Sequence, residues 1–137
     1  MSLSLDKAFG VLPSAVLIKA RRAELLASNL ANVDTPNYKS RDFHFTEVLA
    51  EVEGIGMANR MKLAATNANH LTNEIDKSKA LEPELLYRIP AQPSLDGNTV
   101  DPQLERAAFA ENTTHYQSTL EFLDRRVSSL RKALSKE

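Results

Sequence analysis

The last third of the chain carries an apolar repeat that a single helix cannot bury. Its positions return in alternating steps of four and three, and they are Phe109, Thr113, Tyr116, Leu120, Leu123, Val127, Leu130 and Leu134. This spacing is the heptad pattern of a left-handed coiled-coil seam, in which a partner helix covers the apolar stripe. Asp101 as N-cap and Pro102 in the first turn place the start of the helix. It should therefore run for about 30 residues, or roughly 45 Å.

A second amphipathic pattern near the N-terminus offers a partner. Apolar residues recur at helical spacing from Leu5 to Leu30 and predict a helix that ends at about Ala31. Pro13 interrupts this pattern, so either a short helix ends near Leu12 or one longer helix kinks at the proline. The seam positions that we expect to take part in assembly are Leu12, Val16, Leu26 and Leu30 in the first helix, and Phe109, Tyr116, Leu120, Leu123, Val127, Leu130 and Leu134 in the second.

The first helix ends at a corner, and the residues there favour a turn. Asn32 can adopt the left-handed conformation that follows many helices. Pro36 pushes Thr35 towards an extended backbone, so the helix cannot continue past that point. Pro36 and Asn37 then predict the central pair of a β-turn, because proline fixes φ at the first position and asparagine tolerates positive φ at the second.

A short strand follows the corner. Polar and apolar residues alternate over 39–45, which predicts a strand that buries Phe43 and Phe45. Thr46 then has the character of an N-cap for a short helix to about Leu49.

The middle of the chain gives weaker signals. No hydrophobic period persists over 50–84, where glycine and asparagine are scattered, so we expect a loop or a conditionally ordered segment. Residues 85–89 predict a second strand, and Asp96-Gly97 predicts a turn after it.

The fold class is therefore mainly α, with two long terminal helices that form a coiled-coil-like core, a short β-hairpin or extended segment, and a middle region of low order. One structural domain should contain an N-terminal helical segment at 1–33, a turn and short strand at 34–49, the loop at 50–84, an extended and turn segment at 85–101, and the C-terminal helix at 102–137.

Composition argues against several kinds of function. Within 137 residues there is no tryptophan and only 6% aromatic content, which predicts a modest core of aliphatic side chains. A net charge of −1 is unlike the basic excess of nucleic-acid binders. Zero cysteines exclude disulfides and thiolate metal sites, and His44, His70 and His115 lack the spacing of metal ligands. We therefore expect no enzyme, no cofactor, no metal, no membrane span and no cleaved signal peptide.

The corner also carries a recognisable motif. Its sequence closely resembles the signature A-N-x-x-T-P-x-Y-K of bacterial flagellar rod and hook proteins, on the residues Asn29, Ala31, Asn32, Thr35, Pro36, Tyr38 and Lys39. A later stretch is similar to a second signature, found in one proximal-rod subunit, on the residues Asp96, Gly97, Asn98, Val100 and Asp101. Many relatives have glycine where Asn37 stands, and asparagine also tolerates the positive φ of such a turn.

The resemblance implies a structural, non-catalytic subunit of the proximal rod. Such a subunit polymerises with other rod proteins into a helical tube that transmits torque across the periplasm and forms part of the export channel. The implied partners are other rod proteins, neighbouring copies of the chain, the basal-body base protein FliE and the export gate. The implied location is the flagellar basal body, reached without a cleaved signal peptide. Two alternatives stay open: another subunit of the same family, or a stand-alone helical adaptor that binds partner helices through its apolar faces.

Overall fold

A computed structural model describes residues 8–60, 83–90 and 94–135, and of residues 55–60 it describes the backbone alone. The elements in chain order are α1 (Leu12–Ala31), β1 (Arg41–Asp42), α2 (Phe45–Arg60), β2 (Leu86–Tyr87) and α3 (Pro102–Leu134). The described residues are thus mainly helical, with long helices towards both ends of the chain and one small sheet, which confirms the predicted fold class.

The interruption before α1 is a break in the helix. Residues 8 and 9 are helical, Gly10 then takes a φ of 60°, and α1 begins at Leu12. Pro13 falls in the first turn of α1, where its missing N–H removes no helical hydrogen bond. This matches the first of the two alternatives, with the break at Gly10. Leu5, where the amphipathic pattern begins, lies outside the described residues.

α1 and α3 pack against each other as an antiparallel pair. The side-chain contacts that join α3 to α1 and the residues before it are, in order along α3, Glu105 with Asn29, Asn112 with the Lys19 carbonyl, and Arg126 with the Ala8 carbonyl. Positions that rise along α3 therefore meet positions that fall along α1. The predicted pairing of the two terminal helices is present. At 33 residues, α3 is about 50 Å long and exceeds the 20 residues of α1.

The two strands form a minimal antiparallel sheet. Arg41 lies opposite Tyr87, and Asp42 lies opposite Leu86. The Arg88 N–H extends the ladder by donating to the Ser40 carbonyl at 3.0 Å. The segment before α3 is thus tied to the chain that leaves the corner.

α2 begins earlier than the sequence predicted. The Glu47 N–H donates to the carbonyl of His44 at 3.1 Å, so the first turn already closes around Phe45. The predictions that Thr46 caps this helix and that the strand reaches Phe45 are therefore wrong. The strand is confined to two residues and ends at Asp42.

α2 also ends later than predicted. It reaches Arg60 and so occupies the first part of the segment 50–84, for which the prediction of a loop is wrong. Val48 and Val52, one helical turn apart, are both buried, and this packing orders a helix whose sequence pattern is too short to indicate it. Residues 61–82, which the prediction also covered, lie outside the described residues.

A small hydrophobic core lies where α1, α2 and the residue after β1 meet. Its buried members are Ile18, Phe43, Val48 and Val52, and Leu25, Phe45, Leu49 and Leu85 pack around them. The predicted burial of Phe43 is confirmed. Phe45 lies at the edge of the core, where its ring centroid is 4.0 Å from the Lys19 ammonium nitrogen, in the geometry of a cation–π contact.

Candidate functional site: the corner and the helix seam

The corner contains the predicted β-turn. The Tyr38 N–H donates to the Thr35 carbonyl at 3.3 Å, and Asn37 has a φ of 61°. Positive φ at the third residue after a proline at the second is the geometry of a type II turn. The prediction for Pro36 and Asn37 is therefore confirmed.

Asn32 closes α1 in a different way from the prediction. Its φ is −105°, so it does not adopt the left-handed conformation. Instead its N–H donates to the Asn29 carbonyl at 3.1 Å, which tightens the last turn. Its side-chain amide donates to the Ser28 carbonyl at 2.8 Å and accepts the Thr35 hydroxyl at 3.1 Å. These bonds hold the end of the helix without a change of backbone handedness.

Asn98 joins the second signature to the first. Its side-chain Nδ2 lies 3.0, 2.7 and 3.1 Å from the carbonyl oxygens of Asn32, Val33 and Thr35. Its Oδ1 accepts the Val100 N–H at 2.8 Å. These three carbonyls lie in the turn that follows α1, and a buried amide from 63 to 66 residues away is within hydrogen-bond distance of all of them. The two signatures are thus one structural unit.

Backbone contacts bring the two loops still closer. The Asn37 N–H donates to the Asp96 carbonyl at 2.9 Å, and the Thr99 N–H donates to the Tyr38 carbonyl at 3.0 Å. Gly97 has a φ of 72°, and a Cβ placed there would lie 2.7 Å from the Asn37 Oδ1. Any other residue would strain the backbone at this positive φ and would displace the Asn37 side chain. The Lys39 ammonium donates to the Gly97 carbonyl at 2.5 Å.

Asn29 is buried beneath the corner with every polar group of its side chain satisfied. Its Oδ1 accepts the Arg41 N–H at 3.1 Å and the Tyr38 hydroxyl at 3.3 Å. Its Nδ2 donates to the Arg41 carbonyl at 2.9 Å and to Glu105 Oε2 at 3.3 Å. The side-chain amide therefore takes the place of a neighbouring strand beside β1, and it is 1% exposed.

A charge cluster lies next to Asn29. The Arg22 guanidinium donates two hydrogen bonds to Asp42, at 3.0 and 2.8 Å. Arg88 donates to Asp42 and, at 2.9 Å, to Glu105 Oε1. Two positive and two negative side chains thus alternate and balance. No sequence pattern indicates this cluster, because its members lie on four separate segments of the chain.

Burial and pairing shift the pKa values of the two carboxyl groups in opposite directions. Burial raises the pKa of Glu105, and the opposing effects of Arg88 and of the hydrogen bond from Asn29 are smaller. Burial also acts to raise the pKa of Asp42, but the hydrogen bonds from Arg22 and Arg88 outweigh it and hold the pKa below its usual value. Asp42 is therefore the more firmly ionised of the pair.

The other signature residues have smaller roles in these contacts. Asp101 caps α3 as predicted, because its Oδ1 accepts the N–H groups of Gln103 and Leu104 at 2.9 and 3.2 Å. Ala31 and Pro36 are exposed, and Val100 is half-buried.

The predicted seams are covered only in part. In α1, Leu26 is buried, whereas Leu12, Val16 and Leu30 are half-buried. In α3, the half-buried seam residues are Phe109, Tyr116, Leu120, Leu123 and Leu130. Val127 is 36% and Leu134 is 81% exposed, and Phe122 on the same helix is 58% exposed. α3 therefore keeps apolar surface that the rest of the chain does not cover.

Among residues 8–60, 83–90 and 94–135, no group of three or more His, Cys, Asp or Glu side chains is placed to hold a metal ion. In the same part of the chain, no helix combines the length and apolar character that crossing a bilayer requires.

Known proteins resemble this chain over its full length. Residues 17–39, which span most of α1 and the corner, match the family described as "Flagella basal body rod protein". The flagellar basal body rod protein FlgB of Aeromonas hydrophila is 42% identical over 141 residues, which cover 100% of this chain and 99% of that protein. FlgB of Escherichia coli K12 is 40% identical over 135 residues, 95% of this chain and 94% of the relative. FlgB of Salmonella typhimurium LT2 is 39% identical over 132 residues, with coverage of 95% and 94%.

Proposed function

Because the chain belongs to the FlgB family of flagellar basal body rod proteins, we propose that it builds the proximal part of the rod. The chain is a structural subunit of the flagellar rod. In our proposal, copies join other rod proteins in a helical tube that transmits torque across the periplasm and forms part of the export channel. The chain acts there by contact and not by catalysis.

The observation that carries this proposal is the uncovered apolar surface of α3. Phe122, Val127 and Leu134 lie on the C-terminal half of a helix whose other half is anchored to α1 and the corner. Fully burying side chains of this size contributes about 1.5–3 kcal/mol each. Contacts with neighbouring subunits are therefore a source of stability that the isolated chain does not supply.

The corner suits the same role. A subunit in a helical tube must hold one shape in every copy. The same contact repeats along the tube without closing into a ring, so an error in the angle of each subunit would accumulate from one copy to the next. Here, amide side chains and close backbone contacts link α1, β1 and the segment before α3. The signature residues Asn29, Asn32 and Asn98 thus fix the angle between the helical pair and the sheet.

The partners and the location follow from the family resemblance. We place the chain next to other rod proteins, neighbouring copies, the base protein FliE and the export gate, in the periplasm-spanning rod, with export that uses no cleaved signal peptide. A free helical adaptor would not occupy that position.

Deletion and replacement of the gene in its own bacterium test the proposal. Without the gene, we expect cells that do not swim and basal bodies without a rod, as seen by electron microscopy. Expression of the unaltered chain should restore both, and mass spectrometry of purified basal bodies should find it there. Complete rods in the deletion strain would contradict the proposal and favour the adaptor.

A further inference from the structure

The geometry points to Glu105 as a positioning residue for assembly, which locks the Asn29 amide in one orientation and so fixes the corner between α1 and β1. The consequence for assembly rests on the proposed function, whereas the lock itself is a property of the isolated chain.

The Asn29 side-chain amide must match the backbone groups of Arg41. Its amide faces both the N–H and the carbonyl of Arg41, at 3.1 and 2.9 Å, as a strand would. This contact is correct in only one orientation, with Oδ1 towards the N–H and Nδ2 towards the carbonyl. Rotation by 180° about the last side-chain bond would set oxygen against oxygen and N–H against N–H.

Glu105 selects that orientation of the Asn29 amide. Glu105 Oε2 lies 3.3 Å from Nδ2, so rotation would also place the amide oxygen against a carboxylate. Glu105 is 1% exposed, and no solvent screens this repulsion. The carboxylate therefore penalises the wrong orientation more strongly than Arg41 alone can.

A network of ion pairs with the neighbouring charged residues holds Glu105 in place. Its other oxygen accepts Arg88 Nη1 at 2.9 Å, and Arg88 is held in turn by Asp42. Asp42 on β1 and Arg22 on α1 are the remaining charged groups that act on Glu105. Glu105 lies in the first turn of α3, directly after the segment that contains Asn98. The lock on the corner therefore closes only when the C-terminal helix has docked.

Isosteric substitutions test the lock, because they change charge and hydrogen bonding but hardly change volume. The chains to compare are the wild type, Asn29→Asp, Glu105→Gln and the double variant. Asn29→Asp places two carboxylates about 3.3 Å apart at a buried site, where they must share a proton. Glu105→Gln removes one of the two charges and lets an amide N–H face the new aspartate.

We expect Asn29→Asp to lower the urea midpoint most at pH 7, and the double variant to recover part of that loss. The shared proton raises the folded-state pKa of the pair above its unfolded value, so stability is present at low pH and lost as pH rises through the raised pKa. The urea midpoint of Asn29→Asp should therefore rise between pH 7 and pH 5, and that of the double variant should rise less, because only the contact of the new carboxyl group with the Arg41 carbonyl remains. Asp124→Asn, at an exposed position on the same helix, is the matched control and should change neither value.

In cells, swimming should follow the same order, with Asn29→Asp at the level of the deletion strain and the double variant above it. If Asn29→Asp does not fold, a cooperative transition regained by the double variant supports the lock. A double variant less stable than Asn29→Asp would overturn it. Failure of the wild-type chain to restore rods would refute the proposed function and leave the order of the urea midpoints unaffected.

Discussion

At the scale of single residues, side-chain amides hold the corner together. Asn29 and Asn98 are buried with all their groups paired, and Asn32 bonds within the last turn of α1. Loss of one such partner leaves a buried polar group unsatisfied, which costs about 1–3 kcal/mol. The polar signature is therefore a structural requirement of this turn.

Gly97 and Gly54 differ in the space and backbone conformation that an added Cβ would meet, and this difference gives a residue-scale prediction. Gly97→Ala should lower the free energy of unfolding by about 1–2 kcal/mol or more, because φ is 72° and the Cβ would lie 2.7 Å from Asn37 Oδ1. Gly54→Ala is the control: it lies in α2 with nothing within 4 Å, and it should raise stability by about 0.5–1 kcal/mol. Urea denaturation measures both. Equal effects of the two substitutions would contradict the tight loop contact.

Sequence rules predicted the features of the corner that depend on neighbouring residues. The positive φ of Asn37 after Pro36 and the cap at Asp101 both follow from local backbone chemistry. The handedness of Asn32 was predicted wrongly, because its backbone and side-chain bonds to the preceding turn favour a different closure. The role of Asn98 could not be predicted, since its acceptors are more than 60 residues away.

At the scale of elements, the heptad spacing predicted the pairing of α1 and α3 but not which face of α1 is buried most deeply. The buried positions of α1 are Ala15, Ile18, Leu26 and Asn29, so the stripe is rotated by about one residue from most of the predicted seam. The reason is that α1 serves two neighbours, since Ile18 belongs to the core shared with α2. The apolar spacing along the sequence does not distinguish the residues of α1 that face α2 from those that face α3.

Substitutions in the α3 seam give an element-scale prediction. Leu123→Asp or Leu130→Asp should abolish rod assembly, because each would place a carboxylate in an apolar contact surface without a partner. Ser128→Asp adds the same charge at an exposed position of the same helix and should be tolerated. Electron microscopy of purified basal bodies gives the number of rods for each variant. Normal swimming of the two leucine variants would show that the seam does not face a neighbour.

At the scale of the whole molecule, the described residues divide into a polar anchor and an apolar extension. The charge cluster and the amides lie around the first turn of α3, whereas the large exposed apolar side chains of this helix, apart from Leu104, lie in its C-terminal half. The anchor is largely buried inside the chain and the apolar side chains are exposed, so the anchor holds the shape of the subunit and the apolar surface is open to contacts with neighbouring subunits. This asymmetry suits a subunit of a tube.

A map of the intact rod at side-chain resolution is the most direct test of this account. Every copy of the chain should show the same corner, with the Asn98 amide on the carbonyls at the end of α1. Neighbouring subunits should cover Phe122, Val127 and Leu134, which are exposed in the single chain. A corner angle that varies from copy to copy, or a seam that faces solvent in the assembled rod, would contradict the account.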